Sequence, residues 1–468
     1  MAWLLAALAA GCGTFSQYPL GMEQTTLQPL RTGQKTGYRQ TFGGRTNGNS
    51  GVLFALEMGR TAQLEGDFAA SRTAFEAAIA GTKAQDEKAA LSASGAAAQG
   101  AAVLVNDKAI PYRAPSYERI LVHHYQALNY LATNDLVGAG VEVRRANREQ
   151  EEAARRHARE IDKAKSAAEG AAYAAGRDAH LGPVYAGLDR LAGTVQHSFQ
   201  NAATFYLSAV VWEMLGEAND AYIDLKKALE IYPDNPFVQR DAVRLGKRLG
   251  MREDMEAFAR RFPTAADTPA AGSAAYAGQA RLVVVYEEGL APQKTDLTLA
   301  YPLPSADSIG VLSLPTYLGS SVPAIPAEVA AAGRPLALTA PLCDVGALAA
   351  RALAEQMPGI VTRQVARAVA KGAAAHAAQN RENEFAAFAV LLYNMVSEQA
   401  DLRSWLTLPA HIQVLAAWLE PGQPVVALSA PGGGPFWTGP VTLAAGKTTI
   451  LYVTRIDLAV YSHVIVQP

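Results

Sequence analysis

His123 and His124 invite a chemical reading first, because imidazole serves as acid–base catalyst and as metal ligand. Neighbouring side chains on a helix point in different directions, so this pair cannot chelate as residues four apart would, and no third ligand lies near it. Ala445-Gly446-Lys447-Thr448-Thr449 has the tail of a phosphate-binding loop. That motif requires a glycine where Val441 stands and a helix afterwards, whereas Ile450–Val453 reads as strand, so the phosphate loop is excluded. Lys35-Thr36-Gly37 matches a fragment of a penicillin-binding signature, but the chain has no Ser-x-x-Lys to go with it. Gly-x-Ser-x-Gly and His-Glu-x-x-His are also missing, and no cofactor or metal motif replaces them. The chain is therefore read as non-enzymatic and free of cofactors.

Two basic groupings could bind rather than catalyse. Arg363, Arg367 and Lys371 recur every four residues, which puts them on one helix face as a ridge for an anionic partner, or simply as a solvated face. Arg144 and Arg145 lie near Glu142 and Arg148, where forked guanidinium groups suit an internal brace to carboxylate.

Cys12 carries the sharpest signal. Residues 2–10 form an apolar run too short to span a bilayer, which takes roughly 20 residues. The run ends in Leu8-Ala9-Ala10-Gly11-Cys12, which resembles the lipobox of bacterial lipoproteins. The resemblance implies cleavage before Cys12 and acylation of its thiol and new amino group. Alanine stands three places before the cysteine, and residues 1–11 hold no Lys or Arg, so the expected signal starts upstream of Met1. Gly13 in place of aspartate favours the outer membrane, with the protein facing the periplasm. Residues 12–50, rich in Gly, Thr, Gln and Ser, are expected to form a flexible tether of roughly 35 Å.

Residues 205–233, FYLSAVVWEMLGEANDAYIDLKKALEIYP, resemble a tetratricopeptide repeat. Phe205, Ala209 and Trp212 fall on its first helix, Gly216 closes it, and Ala221, Leu225, Ala228 and Leu229 run down the second. Looser copies lie at 55–79 and 123–146, and one helix pair cannot bury its own apolar face, so 51–262 is expected to be a helical-repeat domain. The resemblance implies that the first helix of each pair lines a concave groove. That places Leu56, Arg60 and Gln63, then His124 and Leu128, then Tyr206, Val210 and Glu213 toward a partner. Tyr206 is the leading anchor there, unless it packs on an adjacent helix. Residues 141–177 have almost no apolar stripe, and the Glu151–Arg155 and Glu152–Arg156 spacings suit an exposed helix: an arm, or a solvated helix with no partner.

Residues 263–279, rich in Pro, Ala, Gly and Thr, read as a linker. Beyond it the period changes. Strands are expected at 282–286, 309–314, 335–339, 411–419, 424–429, 448–455 and 461–466, interrupted by helices at 344–378 (broken near Pro358) and 383–399. The fold class is thus α + β multidomain: a tetratricopeptide-like helical domain, then a β-sandwich-like or α+β domain over 280–468. The phrases LVHHYQALNYL, VEVRRANREQ and ADLRSWLTLPAHIQV resemble an uncharacterised family of bacterial lipoproteins with that arrangement. That family suggests no enzymatic activity, and a weak link to cell-wall synthesis.

Bulk numbers agree with a folded protein. Across 468 residues half are hydrophobic and 18% charged, and 41 basic against 43 acidic side chains leave a net charge of -2. Such balance gives no field for nucleic acid. Of the two cysteines, Cys343 reads as a small buried hydrophobe. The expected function is a lipid-anchored envelope scaffold binding a periplasmic protein. A structural subunit of an envelope assembly and an enzyme with an unfamiliar site stand as alternatives.

Overall fold

A computed structural model of the chain describes residues 18–93, 110–167, 181–302, 309–317, 322–379 and 400–468, and within these no side chains of 91–93, 160–167, 301–302, 309–311 or 366–379. The protein is mixed α/β, with helices mostly in the N-terminal half and sheets in the C-terminal half.

The helices come in consecutive pairs joined by short turns: α4 (Gly51–Leu64) with α5 (Phe68–Ala93), α6 (Ser116–Ala132) with α7 (Leu136–Ala167), α9 (Ala202–Leu215) with α10 (Ala218–Ile231), and α11 (Pro236–Leu249) with α12 (Arg252–Arg261). Local chemistry sets these ends. The Asn201 and Asn235 side chains accept from the first free amides of α9 and α11. Gly216 ends α9 at φ 86°, a backbone conformation that a side chain would strain. Small residues let the helices close: a Cβ at Gly59 would overlap the Phe75 ring across α4 and α5. A further helix, α8 (Gly182–Ala192), buries Val184 and Leu188 in the same core.

Residues 18–50, expected as a tether, are folded where described. Short helical turns α1 (Tyr18–Met22), α2 (Gln28–Thr32, reached through a π turn at Glu23–Leu27) and α3 (Tyr38–Phe42) bury Met22, Leu27, Tyr38 and Phe42 against Ala62 and Leu406. The sequence hid this because the apolar groups lie singly among Thr, Gln and Gly, at no steady period.

The centre of the molecule is a five-stranded sheet in the order β11 (Ala459–Val466), β10 (Thr448–Ile456), β1 (Ala280–Glu288), β7 (His411–Leu419), β6 (Ala340–Asp344). β1 runs parallel to β10 and antiparallel to β7. Both faces of β1 are covered, which is why it reads as an unbroken apolar run. Val283 and Val285, with Ile450 and Tyr452, belong to the core shared with the helices. Leu282, Val284 and Tyr286, with Leu451 and Val453, instead meet Val329, Val426 and Leu428. Those last residues come from a four-stranded sheet ordered β5 (Arg334–Leu338), β4 (Glu328–Ala331), β8 (Val425–Ser429), β9 (Pro435–Pro440). A two-stranded sheet, β2 (Lys294–Pro302) with β3 (Ile309–Tyr317), packs Leu312 and Leu314 into the helical core near α13 (Val345–Gln379).

All seven expected strands are present, and β2, β4, β6 and β9 add to them. α13 continues through Pro358 instead of breaking there. The helix expected at 383–399 lies outside the described residues, as do 168–177 of the expected arm.

The segment 263–279 is pinned to the body. Lys247 Nζ donates to the carbonyls of Ala266 and Thr268, the Ala271 amide donates to Arg244 O, and the Tyr276 and Trp418 rings lie 4.6 Å apart. The two halves consequently share one core across this connection.

Candidate functional site

Where the helices meet the central sheet, the contact is crossed by buried charge. Arg60 on α4 is fully buried, ion-paired to Glu287 of β1, and stacked 4.3 Å from the Tyr125 ring. Glu287 also accepts from Tyr125 OH (2.9 Å), Tyr452 OH (2.8 Å) and Thr454 Oγ1 (2.7 Å). Burial works against the Arg60 charge, but the facing Glu287 carboxylate overrides it and raises the guanidinium pKa. One turn earlier, Glu57 accepts from the Leu406 amide (2.7 Å), Thr407 Oγ1 (2.6 Å) and Tyr18 OH (2.8 Å), and burial pushes it up to about 7.

The expected partner-facing residues of the repeat groove sit in this seam. Arg60 is spoken for, and Gln63 donates to Tyr125 O at 2.9 Å. His124 is buried, its Nδ1 3.2 Å from Thr204 Oγ1, and burial followed by the Arg60 charge drops its pKa to about 3. Tyr206 donates to Asp241 Oδ2 at 2.9 Å, and Glu213 receives Arg244 (2.7 Å) and Arg281 (2.8 Å). Leu56, Leu128 and Val210 are core residues. Arg60, His124, Tyr206 and Glu213 are therefore corrected from partner contacts to structural ones: the central sheet meets Arg60 and Glu213, and neighbouring helices meet His124 and Tyr206.

Other expectations fare unevenly. Arg145 braces Glu142 at 2.7 Å, and Arg144 lies 4.5 Å over the Trp212 ring. Glu152 pairs with Arg156 as its spacing suggests (3.9 Å), whereas Glu151 turns to Lys227 (3.3 Å). Arg363, Arg367 and Lys371 fall on α13, the last two beyond the described side chains. Cys12 lies outside the described residues. Cys343 is buried, and burial pushes its thiol up, away from the reactive thiolate.

An open groove of about 380 Å³ lies elsewhere, among α5, α6 and α7. Its floor is apolar, with Leu56, Ala78 and Val122, and its walls are charged. Arg119 bridges Asp86 (2.8 Å) and Glu149 (3.1 Å), while His123 Nδ1 is 2.7 Å from Glu142 Oε2. On the rim the side chains of Lys83 (78% exposed), Arg148 (66%) and Glu152 (41%) present both signs of charge to solvent.

One constellation had no sequence signature. His157 of α7, His197 in the loop before α9 and Glu355 of α13 bring their ligand atoms within 4.8 Å of one another. The imidazole centroids are 4.5 Å apart, and the Phe199 ring stacks on His197 at 5.1 Å and 2°. Ser198 holds Glu355 through its amide (3.1 Å) and its hydroxyl (2.5 Å). These are the described residues that could hold a metal. Their wide separation along the chain leaves no spacing to read, which is how they escaped an expectation of no metal.

Helices stack on one face of the central sheet, and the charged groove lies on the helical side. No family model, curated protein or solved structure matches the chain.

Proposed function

We propose that the protein is a non-enzymatic scaffold of the bacterial envelope, lipid-anchored at Cys12 in the outer membrane, that holds a periplasmic protein through the charged groove of its helical half. The observation that carries this reading is the groove among α5, α6 and α7, apolar at its floor and rimmed by Lys83, Arg148 and Glu152. A chain segment with alternating charge and a few apolar side chains complements it. A tetratricopeptide-like ancestry is supported by the helix pairs and by the burial of Phe205, Ala209, Ala221 and Ala228 where that template needs them. A β-sandwich-like C-terminal half is supported by the apolar core between the central and four-stranded sheets. No helix among the described residues is long and apolar enough to cross a membrane, so this reading assigns attachment to the lipid.

Crosslinking in intact envelopes tests it. Lys83→Glu with Arg148→Glu reverses exposed charge only, and should abolish the crosslinked partner while the melting temperature stays put. An unchanged adduct pattern rejects the groove. Cys12→Ser should release the protein from membranes and remove fatty-acid labelling; continued sedimentation without label rejects the anchor.

A further inference from the structure

We infer that His157, His197 and Glu355 form a binding site for one divalent transition-metal ion of the zinc class. Two imidazoles and a carboxylate are a donor set that zinc accepts, with a water in the fourth position. The half-buried histidines and the exposed carboxylate leave a side open for that water. Ligand atoms around zinc lie about 2.0–2.2 Å from the ion, so the observed spread of 4.8 Å must contract. Binding would need that contraction from rotation of the His157 ring toward the carboxylate that Ser198 holds.

Four features around the trio fit a built site. His197 Nδ1 is buried with no hydrogen-bond partner, although a neutral imidazole carries both a donor and an acceptor nitrogen. Ser198 orients both Glu355 oxygens by the bonds already described, and each oxygen keeps a lone pair for an ion. Arg351 holds the loop from the other side, donating through Nε to Val195 O at 2.9 Å and through Nη1 to Asp189 at 3.1 Å. Orienting bonds of this kind recur around metal ligands, where they fix direction and raise affinity. Phe199 stacked on His197 excludes water from that ring face.

The site joins three separate elements. His157 stands far along α7, whose flank there is otherwise solvated, and Glu355 lies on a helix of the C-terminal half. A bound ion would clamp α7 to α13 through the intervening loop. This is independent of any partner in the groove among α5, α6 and α7.

Titration of the untagged, metal-stripped full chain with zinc, followed calorimetrically, tests the proposal, with cobalt(II) absorption as a second probe. The expected result is one ion per chain, a higher melting temperature with zinc, and the visible bands of low-symmetry cobalt with nitrogen and oxygen donors. His157→Gln with His197→Gln should remove that binding. Ser198→Ala, which keeps every ligand, should weaken it by about tenfold. Absence of stoichiometric binding to the wild-type chain, or its persistence in the double histidine variant, would overturn the site. Should the double variant fail to fold, the cobalt spectrum of the wild-type chain decides alone: octahedral, water-like bands refute the site.

Discussion

The seam between the halves and the groove on α5–α7 use the same residue types to opposite ends. In the seam Arg60 faces Glu287, both side chains fully buried, with every Glu287 contact supplied from within the molecule. In the groove Arg148 faces Glu152 at 3.8 Å, their side chains 66% and 41% exposed. An exposed pair contributes little to stability because water and salt screen it, whereas a buried pair is costly to form and costlier to break. Burial therefore decides which arginine positions the fold and which stays open to solvent.

The largest effect should come from breaking the seam on one side only. Arg60→Met strands the Glu287 charge in the core and should cost about 3–5 kcal/mol in urea denaturation. Adding Glu287→Gln should recover part of that loss; a double variant as unstable as the sum of its singles would mean the two residues do not act as a pair.

His124 offers a pH test of the same region. Its folded pKa of about 3 lies below the ordinary histidine value, so the unfolded chain binds the extra proton between about pH 6.5 and pH 3. Its contribution is complete above about pH 6.5 and falls by about 1.4 kcal/mol per pH unit as acid is added below that. Glu57, pushed up to about 7, acts with the opposite sign, its contribution shrinking as pH rises from its ordinary value toward 7. Comparing His124→Gln with wild type isolates the histidine: the difference in stability should narrow steadily between pH 6.5 and pH 4. A constant difference would place the imidazole in water.

At the small end, Arg148→Ala should change stability by less than about 0.5 kcal/mol. A loss several times larger would make the groove a structural seam as well.

Much of the architecture was legible because pattern and burial agree. The Leu282–Tyr286 run marks a strand covered on both faces, and the Ala209, Ala221 and Ala228 spacing marks close helix contacts. The four missed strands are short or are broken by Pro, Gly or polar residues. The partner face was misread for a physical reason: a repeat template says which helix face is concave, but it says nothing about what fills the concavity. Polar residues there, Arg60, Gln63, His124 and Glu213, look like solvent-facing groups in sequence, yet in space they turn inward to Glu287, Tyr125, Thr204, Arg244 and Arg281. The His157, His197 and Glu355 grouping depends on the same long-range juxtaposition, which no local spacing encodes.

The central claim, that the seam makes one body of two halves, is tested most directly by equilibrium denaturation with separate reporters. Trp212 reports the helical half and Trp437 the sheets, so chains in which one of these two is the sole tryptophan of the folded region should be followed alongside helical circular dichroism. With the seam as described, all transitions coincide in one midpoint and one slope. A β half that melts at a distinct denaturant concentration while Trp212 remains in its folded environment would contradict it.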